Sequence, residues 1–553
     1  MKMTGAQAIV KVLQEQGVET VFGYPGGAVI PLYNALYDAP LKNVLTAHEQ
    51  GAIHAADGYA RASGKVGVCI ATSGPGATNI VTGLATAYLD SIPVVAISGQ
   101  VPVANLGRDS FQEIDIVGVT MPITKYNAIV RKSEELVPML RLAFAIAKNG
   151  RPGPVLIDIP SDLQVKELEY PELEKVELPE VLKADEGIIE KAAAALNEAE
   201  RPVLMVGGGA VTSSVEKELI ELAHRADLPV VSTLMGLGVY PGSDERAIGL
   251  TGMHGHMDCN LAVANADVLV VAGSRLSDRV TGDRNRYAGT KTIIQMDIDQ
   301  SEIDKNVGVT LALDGDLKET LAKFLPLVKE GKHPEWWAQI REWDKMEDRS
   351  VADGSRLTAP WVMTQLTKTF AEKDTIYVTD VGQNQMWAAQ YLTIDKPRHH
   401  LTSGGCGTMG FGLPGAMGAA FAKPDSQIVH ICGDGGFKMT GLEMFTASRE
   451  NLPLISIVIN NSCLGMVRQW QQLFYNERYS NTILTEFDFV GFAKSCGADG
   501  RTVTTCEEFT AALAEAQNRT KPFLIEVRIE QSDLVEPMVA AGAVIYDFVK
   551  THI

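Results

Sequence analysis

Residues 433–461 constrain this chain more than any other stretch. Gly433-Asp434-Gly435-Gly436 follows an apolar run at 428–432, and an amphipathic run at 437–451 predicts one helix. A second apolar run at 454–459 then ends in Asn460-Asn461. From Asp434 to Asn461 is 27 positions, the span of one strand–helix–strand crossover of about 30 residues. Both strand ends then lie side by side on the carboxyl edge of a parallel sheet, where open α/β sheets bind ligands. Gly-Asp-Gly lets the backbone approach a diphosphate, and Asp434 and Asn461 offer hard oxygens to a divalent cation. A loop turn with an unrelated Asn pair is the bland alternative; the spacing, flanking strands and terminal pair weigh against it.

At 553 residues the chain exceeds one core. Apolar runs at 66–72, 94–98 and 155–159, each bounded by Gly or Pro, predict parallel strands in a first block over 1–165. Thr4 and Gln7 form a capping box for its first helix, which Gly17 ends. Residues 164–184, rich in Glu, Lys and Pro, read as a linker. Runs at 203–206, 268–272 and 292–296 belong to a second block over 185–340, and the acidic, aromatic stretch 330–353 reads as a second connection. Runs at 375–379, 428–432, 454–459 and 523–528 mark a third block over 357–553. The expected fold is α/β, with three doubly wound parallel-sheet domains.

With 49 basic against 68 acidic residues the net charge is −19, and no basic run is present. Nucleic acid and anionic membrane surfaces are therefore not expected partners; small molecules and protein are. Seven scattered cysteines, none in a C-x-x-C pair, indicate neither disulfides nor zinc. The early helix signal reads as leaving no room for a leader, and no apolar run is long enough to cross a membrane, so a cytoplasmic location is expected.

Gly-Asp-Gly-x24-Asn-Asn resembles the signature of thiamine-diphosphate enzymes throughout. The resemblance implies Mg²⁺ held by the Asp434 carboxylate, the Asn461 side chain and the main-chain carbonyl of Cys463. Glu49, at a strand-to-helix junction, is by default a charge favouring the helix dipole. The resemblance reverses that reading and makes it a buried acid that protonates N1′ of the aminopyrimidine. Four further segments narrow the family: Tyr24-Pro25-Gly26-Gly27-Ala28, Thr72 to Asn79, Phe111-Gln112-Glu113, and Gly150-Arg151-Pro152-Gly153-Pro154-Val155. Together they resemble the large, catalytic subunit of acetohydroxyacid (acetolactate) synthase. Catalytic contributions from Gly27 and Gln112 and a substrate contact from Phe111 are implied. The adjacent His pair by which pyruvate decarboxylases protonate their enamine is missing from this block. The one adjacent pair, His399-His400, reads as structural or diphosphate-proximal, and Arg108 stands where the family usually has Thr.

Gly207-Gly208-Gly209 after a strand is a weak dinucleotide signal, and a plain turn fits equally well. The resemblance adds His254, Arg275, Asp278, Asp297 and Ile298, together with Arg151, as a site for structural FAD containing Gly208 and Gly209. The family's Arg-Phe-Asp-Asp-Arg reads Arg-Leu-Ser-Asp-Arg over 275–279, which implies altered FAD affinity through Leu276 and Ser277. Arg279 is implied to receive the carboxylate of a second ketoacid, which suits bidentate geometry.

In the third block Asp380 to Asn384, with Gly382, Gln383 and Asn384, resembles diphosphate contacts, and Gly404 to Gly410 resembles contacts to the aminopyrimidine. Gly407 and Met409 come from the latter, with Met409 supporting the bent cofactor; by itself Met409 reads as core packing. Cys406, where the family has Leu, is expected in an apolar setting. Gly435, Gly436, Leu464 and Met466 complete the implied cofactor set. Trp470 reads as a buried aromatic or, by resemblance, as the residue favouring 2-ketobutyrate as acceptor, and residues 535–542 resemble the family's lid.

The implied activity decarboxylates pyruvate on thiamine diphosphate and adds the hydroxyethyl carbanion to pyruvate or 2-ketobutyrate. Acetolactate or acetohydroxybutyrate results, for branched-chain amino-acid synthesis. A homodimer or homotetramer with sites between copies is implied, with a small regulatory subunit as a possible partner. The rivals are an FAD-independent catabolic acetolactate synthase and a catalytically dead binding scaffold.

Overall fold

A computed structural model describes residues 1–172, 176–348 and 352–549. The capping box forms as read: Gln7 N–H donates to Thr4 Oγ1 at 3.3 Å and Thr4 N–H to Gln7 Oε1 at 3.0 Å, opening the helix Gly5–Glu15. Gly17, with φ +71°, follows its end.

Three six-stranded parallel sheets carry the fold. In the first, Thr20–Gly23, Lys42–Leu45, Gly67–Ala71, Val94–Gln100, Tyr126–Ile129 and Val155–Pro160 stand in the order second, first, third, fourth, sixth, fifth. The third sheet repeats that order with Thr375–Thr379, His400–Leu401, Gln427–Gly433, Ile455–Asn460, Asp499–Val503 and Phe523–Arg528. In the middle sheet Pro202–Val206, Val230–Ser232, Ala247–Leu250, Val268–Ala272, Thr292–Asp297 and Leu311–Asp314 run third, second, first, fourth, fifth, sixth. Each sheet buries an apolar core on both faces, which is why its strands read as unbroken apolar runs. Each order reverses beside its first strand, next to the third strand in the outer two sheets and the fourth in the middle one, opening a crevice at the carboxyl ends of those strands.

Three expectations need correction. The run 437–451 is not one helix but two, Asp434–Thr440 and Glu443–Arg449. The first begins at Asp434, and the chain turns at Gly441, where a Cβ would lie 2.7 Å from the Phe437 carbonyl oxygen. Residues 164–184 are not wholly a linker: Glu167–Glu169 pairs antiparallel with Lys2–Thr4, a contact too short to leave a periodic signal. Within 330–353 lies the helix Pro334–Asp344, whose Trp336 and Ile340 are buried and whose Trp336 Nε1–H donates to the Pro202 carbonyl at 3.2 Å. It packs on the helix Met257–Asn265 and extends the middle domain. Parts of both stretches, 173–175 and 349–351, lie outside the described residues.

The first and third domains meet through the helices Glu49–Ser63 and Gly412–Ala422. A Cβ on Gly418 would stand 2.0 Å from the Ala55 carbonyl oxygen, and one on Gly58 2.2 Å from that of Gly415. Their backbones touch.

Candidate active site

The cleft with the most chemistry lies in the third domain, where its strand order reverses. Parallel pairing sets Gly433 against Ile459, so Asp434 and Asn461 leave the sheet together at its carboxyl edge. The cleft is lined by Gly382, Gln383, Asn384, Met409, Asp434, Gly435, Gly436, Asn461, Cys463, Leu464 and Met466, among others.

Asp434 opens its helix and is 2 % exposed. Burial pushes its carboxyl up to about 6, against the opposing effect of the Gly435 N–H, which donates to it at 2.9 Å. Asn461 donates its amide N–H to Gln383 Oε1 at 3.0 Å, which leaves its own amide oxygen for another partner. Gln383 in turn donates to Gln469 Oε1 at 2.9 Å. Cys463 is held by an antiparallel bridge to Ile483 through Leu464 N–H to the Thr482 carbonyl and Leu484 N–H to that of Ser462; neither bond uses the Cys463 carbonyl. One buried carboxylate, one free amide oxygen and one carbonyl fit a small hard cation that keeps water and phosphate ligands. Among the described residues no cluster of three His, Cys, Asp or Glu side chains offers a softer alternative.

The glycines lining the cleft are set by close packing against the chain's own side chains. A Cβ on Gly435 would meet Leu464 Cδ2 at 2.5 Å, one on Gly436 Asp380 Oδ1 at 2.5 Å, and one on Gly465 Gln383 Oε1 at 2.0 Å. Asn384 Oδ1 is buried with no partner. Asp380 does not face this cleft. It is 1 % exposed, accepts N–H bonds from Gly410 and Gly412 at 3.0 Å and from Val381 at 2.8 Å, and so anchors the loop that carries Met409. Gly407 is exposed with φ +66°. Cys406 is exposed as well, so the apolar setting expected for it is not found within the chain.

Arg279 and Trp470, from different domains, come together: the guanidinium carbon lies 5.8 Å from the ring centroid. Arg279 also approaches Asp278 at 3.9 Å and is more than half exposed, while Trp470 Nε1 is buried without a partner. Gln469 binds Val535 in both directions at 2.9 Å, and Val539 N–H donates to the Met253 carbonyl at 2.8 Å, which lays the C-terminal segment across this region.

The first-domain candidates form a separate group. Glu49 starts the helix Glu49–Ser63, and its Oε2 accepts from Asn79 Nδ2 at 3.0 Å. It is half-buried in the single chain, not the fully buried acid expected, because its flank is open. Gln112, with φ +59°, packs at Gly74, where a Cβ would meet it at 2.8 Å. Gly27 is exposed with nothing within 4 Å of a Cβ position, and Phe111 is 88 % exposed. None of these four lines the third-domain cleft.

In the middle domain the strand order reverses beside Gly207-Gly208-Gly209. Cβ atoms there would meet the Gly273 carbonyl oxygen at 2.4 Å, Met235 Cβ at 3.1 Å and Gly273 Cα at 2.8 Å. Burial raises Asp297 to about 6 and lowers His254 to about 4, so His254 is neutral near pH 7 with Nδ1 unpartnered. Arg275 and Ile298 are half-buried and Asp278 is exposed. Arg151 bridges in from the first domain, donating to Asp299 at 3.0 Å, Glu302 at 2.7 Å and Ser91 at 2.8 Å. Leu276, with φ +51°, is buried in the domain core.

Glu443 is a further residue that the fold brings to the first domain. Its carboxylate, 1 % exposed, accepts from Ala47 and His48 N–H at 3.1 Å and from Thr446 Oγ1 at 2.8 Å, tying the residue before Glu49 to the third domain. Separated from them by nearly 400 positions, it left no local signal.

Three family descriptions match the chain in order. Residues 3–119 match the N-terminal thiamine pyrophosphate binding domain of thiamine pyrophosphate enzymes, 189–324 their central domain, and 380–527 their C-terminal binding domain. A probable acetolactate synthase large subunit of Methanocaldococcus jannaschii is 46 % identical, over 98 % of this chain and 94 % of that one. The acetolactate synthase isozyme 2 large subunit of Escherichia coli is 45 % identical over 98 % of both. The acetolactate synthase large subunit of Haemophilus influenzae is 40 % identical, over 99 % and 98 %.

Proposed function

The chain belongs to the thiamine-diphosphate enzymes as an acetolactate synthase large subunit, and from that premise we propose which of its residues hold the cofactors and carry the reaction. The observation that carries the proposal is the cleft lined together by Asp434, Asn461 and Cys463, with the Asn461 amide N–H given to Gln383 and its oxygen left over.

Asp434, Asn461 and Cys463 would hold Mg²⁺, whose charge would offset the burial that raises the Asp434 carboxyl. Gly435, Gly436, Gly382, Gln383 and Asn384 would hold the diphosphate, and Leu464, Met466 and Met409 would border the rest of the cofactor; Gly407, exposed on the Met409 loop, is assigned to it by the resemblance and does not line the cleft. Bound thiamine diphosphate supplies a nucleophilic thiazolium carbon and an electron sink for decarboxylation. Glu49 gives and takes the proton at N1′ of the aminopyrimidine, oriented by Asn79. Gly27, Gln112 and Phe111 would surround the reacting carbon, and the exposure of Gly27 and Phe111 in one chain supports a site completed between two copies, in a homodimer or homotetramer. Arg279 binds the carboxylate of the acceptor ketoacid and Trp470 borders its alkyl chain.

The middle crevice takes FAD, with Gly208 and Gly209 at its phosphates and His254, Arg275, Asp278, Asp297, Ile298 and Arg151 around it; the unpartnered His254 Nδ1 supports this placement. FAD acts structurally, since ketoacid condensation has no net redox step. The large-subunit names of the relatives support a small regulatory partner. No helix among the described residues is long and apolar enough to cross a membrane, and the reading places the enzyme in the cytoplasm.

The test is product analysis from pyruvate with and without 2-ketobutyrate, in protein loaded with thiamine diphosphate and Mg²⁺, with and without FAD. Acetohydroxybutyrate predominating and activity lost without FAD is the expected result. Acetolactate made equally well without FAD refutes the flavin assignment, and acetaldehyde as main product refutes the carboligase roles.

A further inference from the structure

We propose that Thr86 and Asp90, on the first-domain helix Val81–Asp90, are positioning residues that hold the third-domain loop 404–410 at the cofactor cleft; the inference rests on the thiamine-diphosphate reading above. The two residues stand four apart on one helix face. Asp90 accepts from Gly404 N–H at 3.0 Å and Gly405 N–H at 2.7 Å, and the Thr86 and Thr408 hydroxyls lie 2.7 Å apart. Thr86 also bonds the Thr82 carbonyl at 2.9 Å; its single proton goes there, so Thr408 donates to Thr86. Met409, which lines the cleft, is the next residue.

Asp90 is not explained by its own helix. A carboxylate at a helix C-terminus faces the negative end of the dipole, where a cation belongs. Nor does Arg61 need it for neutrality alone. Arg61 Nε already donates to Asp57, so one guanidinium serves two carboxylates, with Nη2 reaching Asp90 at 2.9 Å and Nη1 the Thr402 carbonyl at 2.7 Å. The Asp57 and Asp90 side chains are fully buried and Arg61 is 4 % exposed, which leaves one buried negative charge in excess. The Gly404 and Gly405 N–H groups answer that charge. The network is satisfied only with the loop in place, and the loop packs closely where it lies. A Cβ on Gly405 would meet Asp90 Oδ1 and Leu89 at 3.0 Å, and one on Gly404 the Met235 sulfur at 2.4 Å. Asp380 pins the other end through Gly410 and Gly412. The segment that carries Met409 is thus clamped from two domains, and the first domain serves its own chain's cleft without lining it.

The experiment compares T86V, T86S and D90N with the parent in the full chain, reading amide hydrogen exchange over residues 402–412 and the thiamine diphosphate affinity in Mg²⁺, beside melting temperature. T86V should exchange faster over 402–412 and bind the cofactor about tenfold more weakly, the worth of one buried hydrogen bond, while T86S stays within about twofold. D90N should do the same more strongly. Because D90N unbalances a buried charge network and can fail to fold, T86V carries the test by itself. Unchanged loop exchange and affinity in T86V overturn the proposal, as does a lowered melting temperature with affinity intact. A parent chain that binds no thiamine diphosphate overturns the functional reading and this inference together, whereas parent and T86V binding alike overturn the inference alone.

Discussion

Gly418→Ala tests how the first and third domains are held. Alanine in a helix interior is intrinsically favoured over glycine by about 1 kcal/mol. At Gly418, however, the new Cβ would stand 2.0 Å from the Ala55 carbonyl oxygen and 2.6 Å from the Tyr59 nitrogen. Both are backbone atoms, so no rotamer change relieves the contact. Ordinary contact requires the helices Glu49–Ser63 and Gly412–Ala422 to separate by more than 1 Å, about a methyl's worth of overpacking at roughly 2–3 kcal/mol. The same shift strains the Arg61 bond to the Thr402 carbonyl, which crosses the interface. The clash outweighs the propensity gain by about 1–2 kcal/mol, a melting temperature lowered by roughly 2–8 °C. Differential scanning calorimetry on the cofactor-free chain reads it, and Gly58→Ala should behave alike. A melting temperature unchanged or raised refutes the argument that backbone contact, not helix propensity, governs this interface.

Glu49→Gln should lower turnover about 10²–10⁴-fold with melting temperature kept, since it removes a proton-transfer group without a packing atom. Glu49→Gln and Asp434→Asn chains, each strongly impaired, should regain activity well above either one on being unfolded and refolded together if the site lies between copies; no recovery refutes the two-chain site. Trp470→Leu should shift competition between 2-ketobutyrate and pyruvate toward pyruvate by about tenfold, the worth of one methylene in a shaped pocket, as read from the product ratio. Burial raises Asp158 to about 7, against the opposing Ser98 and Gln100 bonds at 2.6 and 2.9 Å. Its contribution to stability is therefore fully present below the unfolded carboxyl range near pH 4 and lost as pH rises through about 7. Stability measured by denaturant from pH 5 to 8 should fall less steeply in Asp158→Asn than in the parent.

The strands and the Asp434–Asn461 corner were legible because each is local. A fully buried parallel strand must be an apolar run, and one crossover carries both ends of the corner to one sheet edge. The two short helices within 434–449 were not legible, since a single Gly in an amphipathic run is tolerated in a helix as often as it ends one. The helix Pro334–Asp344 was hidden for the opposite reason: Trp336 and Ile340 are too few apolar residues to mark a face until the middle domain covers them.

Sequence by itself determined the three α/β units and the residues able to hold a cation and a diphosphate, because local backbone chemistry and strand periodicity dictate those. Tertiary structure alone decided that Arg279 meets Trp470, that Glu443 anchors the start of the helix Glu49–Ser63, and that Asp90 answers the N–H groups of Gly404 and Gly405. Such pairings join residues more than a hundred positions apart, and a buried charge chooses its partner by proximity after folding, which neither composition nor spacing records.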